Sequence, residues 1–215
     1  MKTKIMIIFI AIITVVIILM CSYFFLHHEK TNKSTLIKKE EKLEVKDSIN
    51  YQLDNKSIAC QSEKVKEVIR LPHLTTKKDG VRKINNQIDE DFKVLIAYTK
   101  QAEKNNLNNA NAYSSNYDYL SDDNYIVIHI NSKSGIYCST IEEKNYYYTY
   151  DVVGDKYLTY SDLLSLYNVT MDSINQKLVE KGYNIQVDNS YYAYIKDDKL
   201  MVGIDGVSEN LSFDK

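Results

Sequence analysis

Residues 5–26, IMIIFIAIITVVIILMCSYFFL, contain no charged residue, no glycine and no proline. Twenty-two residues at about 1.5 Å per residue make a helix of roughly 33 Å, long enough to cross the hydrocarbon core of a bilayer. The run therefore sets the architecture expected of the rest: a short tail of residues 1–4, an apolar anchor at 5–26, and whatever folds beyond it. Two other readings of the run remain open. Cys21 is placed as in a lipidated signal, but bulky Met20 stands before it and apolar residues continue after it. A cleaved signal would carry a shorter apolar stretch and a small-x-small site. Lys2 and Lys4 lie on one side of the run and Lys30, Lys33, Lys38 and Lys39 on the other, so counting positive charges does not fix the orientation. The expectation is a single-pass protein of the cell membrane with its C-terminal domain outside.

Of the 27 Lys and Arg, two precede the run, so the remainder faces 29 Asp and Glu with a net charge of about −4. Nucleic-acid binding, which needs a concentrated basic face, is not expected. Residues 27–47 are charged and poor in large apolar residues, as in a solvated linker. Beyond it, Cys60 and Cys138 fall in strand-like runs and are the candidate disulfide pair in an oxidising exterior. Two unpaired buried thiols are the other reading.

From residue 48 the pattern is that of an α+β domain reaching to 215. INYQLDN and SIACQSEKVKEVIRLPHL contain period-2 stretches, with Pro72 marking a strand end or edge. The period then changes. Val81, Ile84, Ile88, Phe92, Leu95 and Tyr98 recur at spacings of three and four, which predicts one long amphipathic helix capped by Asp79. AYSSNYDYLSD, NYIVIHINSKSG and IYCSTIEEKNYYYTYDV read as three antiparallel strands, and VGD as a turn that uses the freedom of Gly154. KYLTYSDLL leaves the sheet, with Ser161 or Asp162 capping a short helical turn. A shorter helix is predicted over 171–181, from an N-cap at Thr170 to a stop at Gly182. YYAYIKDDKLMVGID then closes the domain as two strands around an Asp-Asp turn. The predicted fold is an antiparallel β-sheet packed on one face by one long and one shorter helix.

Chemical motifs are sparse. There is no His-Glu-x-x-His helix, no Gly-x-Ser-x-Gly elbow, no Cys-x-x-Cys pair and no calcium-loop pattern. Neither a cofactor nor a metal is expected, and no catalytic residue is assigned. The carboxylate pairs Asp122/Asp123 and Asp197/Asp198 lie in turns, where solvation keeps both groups ordinary. The conspicuous feature is tyrosine: 11 of the 19 fall between residues 113 and 160. Tyr146, Tyr148 and Tyr150 share one face of a strand. Such a row either packs a half-buried sheet or forms rigid amphipathic contact area. On the second reading the binding residues are Tyr146, Tyr148 and Tyr150 together with Asp118, Asp122 and Asp123.

The order VIRLPHL, KINNQI, YYYTYDVVGDKYLTYSDLL, YYAYIKDDKLMVGID resembles an extracellular domain family. That family is shared by the lysozyme-sensing anti-sigma factor RsiV and the N-terminal module of the peptidoglycan deacetylase PdaC. The resemblance spans about residues 48–210. It implies an α+β domain on the outer face of a Gram-positive membrane that binds lysozyme or a cell-wall polymer. Only Met1–Lys4 precede the apolar run and no deacetylase domain follows, so neither sigma-factor binding nor deacetylation is expected to carry over. The function expected is a membrane-anchored binding module without catalysis, with peptidoglycan or glycan binding as the alternative.

Overall fold

The computed structural model describes residues 42–56, 64–105, 111–136, 142–187 and 191–215. The apolar run at 5–26, most of the linker, Cys60 and Cys138 lie outside the described residues, among which no helix is long and apolar enough to cross a membrane.

Residues Leu43–Lys215 form one compact unit of mixed α+β architecture. Strand β1 (Val45–Lys56) pairs antiparallel with β2 (Lys64–Leu74), so Val45–Asp47 belong to the sheet rather than to the linker. Two helices follow, α1 (Asp79–Asp91) and α2 (Lys93–Asn105), and then β3 (Asn111–Ser121), β4 (Tyr125–Ile136), β5 (Glu142–Asp151) and the short β6 (Lys156–Leu158). These six strands make one sheet in chain order. Helices α3 (Tyr160–Leu166) and α4 (Met171–Glu180) lead to a second sheet of β7 (Tyr191–Lys196), β8 (Lys199–Ile204) and β9 (Leu211–Phe213).

Several sequence expectations are corrected here. The single sheet is two sheets. The β2–β3 pair is parallel, because the intervening helices return the chain to the end of the sheet where β2 began. The long helix is interrupted at Phe92, whose φ of −106° leaves the helical region. Its apolar stripe survives the break, and all six predicted residues from Val81 to Tyr98 are buried. Asp79 does not cap α1: the N-cap is Lys78, with no side-chain hydrogen bond, and Asp79 pairs instead with Arg82. KYLTYSDLL does not leave the sheet at once, since Lys156–Leu158 pair with β5. Pro72 is not a strand end. It lies within β2, opposite Asp47 at an irregularity in the β1–β2 register that tolerates its missing N–H.

The helix termini follow local chemistry. Thr159 caps α3 by accepting from the Asp162 N–H at 3.2 Å, while the Asp162 carboxylate accepts the Thr159 N–H at 3.0 Å. Thr170 and Ser173 repeat this reciprocal arrangement at α4, and Gly182 follows that helix with φ +85°. The turn after β5 needs Gly154 for space: a Cβ there would lie 2.4 Å from Asp151 Oδ2, and the positive φ falls on Asp155. The β7–β8 hairpin turns at Asp197 and Asp198, both left-handed, as a two-residue loop of this kind requires.

Alternation along β4 builds two cores on opposite faces. Ile126, Ile128 and Ile130 join Tyr148, Tyr150 and the α1–α2 stripe on one side. Val127 turns the other way and joins Leu163, Leu164, Ile174, Leu178 and the inner residues of β7–β9. The second sheet thus covers part of the six-stranded sheet's outer face, which explains why helices are not confined to one face.

Candidate functional site

The site is assembled where β7 crosses β5. On β5, alternation sends Tyr148 and Tyr150 into the core, where they are 2% and 0% exposed. Tyr147 faces the second sheet. Its ring stacks on Tyr194 with centroids 4.2 Å apart and planes 8° from parallel, and on Tyr192 at 4.9 Å and 17°. His129, the cross-strand neighbour on β4, stacks on Tyr147 at 4.6 Å. Tyr192 lies over its own cross-strand partner, Gly203, so closely that a Cβ on Gly203 would sit 1.9 Å from the tyrosine Cζ. Only glycine leaves room for a ring flat on the strand. Asn210 ties the outer ends together: it accepts from the Tyr192 hydroxyl at 3.2 Å and donates to the Tyr194 hydroxyl at 2.9 Å.

Beside this stack runs a groove of about 640 Å³. Tyr146, Tyr160, Tyr191 and Tyr192 furnish its rings, and Asp91, Glu142, Glu143 and Asp205 its carboxylates, against one ammonium among the described residues, that of Lys144. Tyr160 and Tyr191 rings lie 6.2 Å apart, and Tyr160 also accepts the Tyr147 N–H. Burial raises the phenols of Tyr160, Tyr191 and Tyr192 above their ordinary value, so at neutral pH the rings carry no charge and the groove's sign is set by its carboxylates. Hydrogen bonds from Asn131 and Lys133 hold Glu143 below the usual carboxylate range. Glu142, 2.8 Å from Lys144, raises that ammonium.

The polar floor continues along the outer face. Asn131 Nδ2 donates to Glu143 Oε1 at 2.7 Å and to Asn145 Oδ1 at 2.9 Å; His129 Nε2 lies 2.9 Å from the same Asn145 oxygen and Nδ1 lies 3.3 Å from Asp118. Among the described residues no group of His, Cys, Asp or Glu has the arrangement to hold a metal ion. What the arrangement offers is a rigid, ring-walled, anionic recess.

No protein-family model matches the sequence, and no curated protein does. Among solved structures the chain is similar to a DUF3298 family protein from Pseudomonas aeruginosa, at 11% identity over 81% of this chain and 90% of that one, with a TM-score of 0.47. It is also similar to a DUF3298 family member from Bacteroides fragilis, at 13% identity over 80% and 90%, with a TM-score of 0.39.

The residues singled out from sequence separate in space. Tyr146 lines the groove, half-buried, with its ring 4.8 Å from Phe92. Tyr148 and Tyr150 do not form a contact row with it, because an inward-facing strand side buries them. Each is anchored through its hydroxyl, Tyr148 donating to Asp91 Oδ2 at 2.8 Å and Tyr150 to Asp155 Oδ1 at 2.9 Å. Tyr148 therefore touches the groove only by fixing one of its carboxylates. Asp118 is exposed beside His129. Asp122 folds back to accept the Asn124 and Tyr125 N–H groups at 2.7 Å each, closing the β3–β4 turn. It lines a separate recess of about 240 Å³ with Asp197 and Asp198, and Asp123 is exposed in the same turn. Tyr160, Tyr191, Tyr192 and Asp205 were not foreseen. The one available signal was Gly203 inside a strand pattern, which marks a close approach without naming the ring that makes it.

Proposed function

We propose that the chain is an extracytoplasmic binding module, held at the cell membrane by residues 5–26, that grips a basic protein such as lysozyme and leaves it chemically unchanged. The reading is carried by the groove between β5 and the β7–β8 hairpin, where four carboxylates face one ammonium between tyrosine walls. Tyrosine supplies large contact area with few rotatable bonds, and the stack on Tyr147 already holds Tyr192 in place, so little ordering remains to be done on binding. The excess of negative charge attracts a strongly basic partner and speeds encounter. The resemblance to the RsiV and PdaC extracellular domains supports lysozyme as the partner. Calorimetric titration of the full-length chain in mild detergent against lysozyme tests this. Binding is expected at low salt and should weaken above roughly 0.5 M salt, where screening is strong. No binding at high micromolar lysozyme in low salt refutes it.

The second reading, a module for peptidoglycan glycan, draws on the same rings, since sugar faces stack on tyrosine. Purified wall sacculi separate the two: retention of the chain by sacculi without binding of free lysozyme replaces the first reading with the second.

A further inference from the structure

We infer that the groups entering the groove are arginine side chains of the partner, anchored by Asp91 and Asp205; this rests on the binding-module reading and names the chemistry it leaves open. The four carboxylates of the groove are not equivalent. Glu142 is matched by Lys144 at 2.8 Å, and Glu143 by Lys133 at 3.0 Å and by Asn131. Among the described residues Asp91 accepts from neutral donors, the Tyr148 hydroxyl at 2.8 Å and Gln87 Nε2 at 2.9 Å. Asp205, which follows β8 at the groove's rim, makes no hydrogen bond or ion pair with any described residue. Neither carboxylate forms an ion pair with a described residue, although Lys144 lies near enough for Asp205 to help raise its ammonium, and both face the recess between the tyrosine rings.

Guanidinium fits this combination better than ammonium. It is planar and weakly hydrated, and it can lie on an aromatic face while its fork of N–H groups meets a carboxylate. A lysine ammonium is compact and strongly hydrated and gains less from the rings. The domain contains the same combination elsewhere: Arg70 lies 5.2 Å from the Tyr117 ring centroid while its Nη2 reaches Asp47 Oδ1 at 3.1 Å. The groove presents the tyrosine and the carboxylate of that triad and lacks the arginine.

The test uses the full-length chain in mild detergent, titrated with lysozyme, with an arginine-rich peptide, with a lysine-rich peptide of equal length and charge, and with spermidine. The arginine peptide is expected to bind about tenfold more tightly than the lysine peptide, with Asp205→Asn removing most of that preference and weakening lysozyme by about tenfold. Asp91→Asn should act in the same direction. Asp172→Asn, in the exposed first turn of α4, removes one charge away from the groove and should leave affinity unchanged. Unchanged melting temperatures show that the variants are folded. Equal affinity for the two peptides, tighter binding of spermidine than of the arginine peptide, or an Asp205→Asn effect no larger than that of Asp172→Asn overturns the inference. If lysozyme still binds in those cases, the binding-module reading stands. Loss of lysozyme binding by the unmodified chain refutes both.

Discussion

Replacing Gly203 with alanine places a methyl carbon inside the space of the Tyr192 ring, 1.9 Å from Cζ, 2.1 Å from Cε2 and 2.3 Å from the hydroxyl oxygen. Carbon atoms settle at about 3.5 Å or more, so the ring must retreat by roughly 1.5 Å. It cannot do so freely, because Tyr147 stacks on it at 4.9 Å and Asn210 holds its hydroxyl. Forcing extra volume into a packed contact costs about 1–3 kcal/mol, and weakening the stack and the hydrogen bond falls within that range. The lower entropy of the unfolded alanine chain offsets about 0.5 kcal/mol. A net destabilisation of about 1.5 kcal/mol follows, which for a domain of this size lowers the melting temperature by roughly 3–6 °C. Thermal scans by far-UV circular dichroism measure the shift. Near-UV spectra should change as well, since the displaced ring belongs to the tyrosine stack, and affinity for lysozyme should fall. A melting temperature within about 1 °C of the unmodified chain, with an unaltered near-UV spectrum, would refute the packing of Tyr192 on β8 and with it this wall of the groove.

Three further perturbations probe the frame around the site. Thr149 is 1% exposed, and its hydroxyl finds no hydrogen-bond partner among the described residues, so Thr149→Val should be neutral or stabilise by about 1 kcal/mol in urea titrations; a clear loss of stability would show that the hydroxyl is bonded. The Asp162 carboxyl is held down to about 2 by hydrogen bonds from Lys156 and Thr159. Because its folded value lies below its unfolded one of about 3.9, its contribution is fully present above that pH and is lost as pH falls toward 2. Asp162→Asn should therefore flatten the acid limb of stability against pH, and an unchanged limb would contradict the cap geometry. Tyr150→Phe removes the hydroxyl bound to Asp155, whose Oδ1 also accepts the Gly80 N–H at 3.0 Å. It should lower stability by about 1 kcal/mol and speed amide exchange at Gly80, whereas unaltered exchange would show that the two bonds are independent.

The elements were legible wherever a local pattern repeats. The stripe from Val81 to Tyr98 names the residues that α1 and α2 bury, since a helix face is decided by spacing alone. Thr170, Gly182 and the Asp197–Asp198 turn were equally readable, because caps and two-residue loops depend on the chemistry of a few adjacent residues. The tyrosine row misled for a related reason. Period two shows that Tyr146, Tyr148 and Tyr150 share a face, but it does not say which face a second layer covers. That depended on Ile126, Ile128 and Ile130 turning toward the helices while Val127 turned away.

By itself the sequence determined the uncharged run at 5–26, the mixture of strands and helices, the buried stripe from Val81 to Tyr98 and the weak excess of negative charge. Tertiary structure alone decided that the chain makes two sheets, that β2 and β3 run parallel, and that Tyr191, Tyr192 and Asp205 meet Tyr146, Tyr160 and Asp91 around one groove. The physical reason is range. Periodicity, capping and turns act over a few residues, whereas a groove is formed by side chains more than a hundred positions apart, brought together only when two cores pack against opposite faces of one sheet.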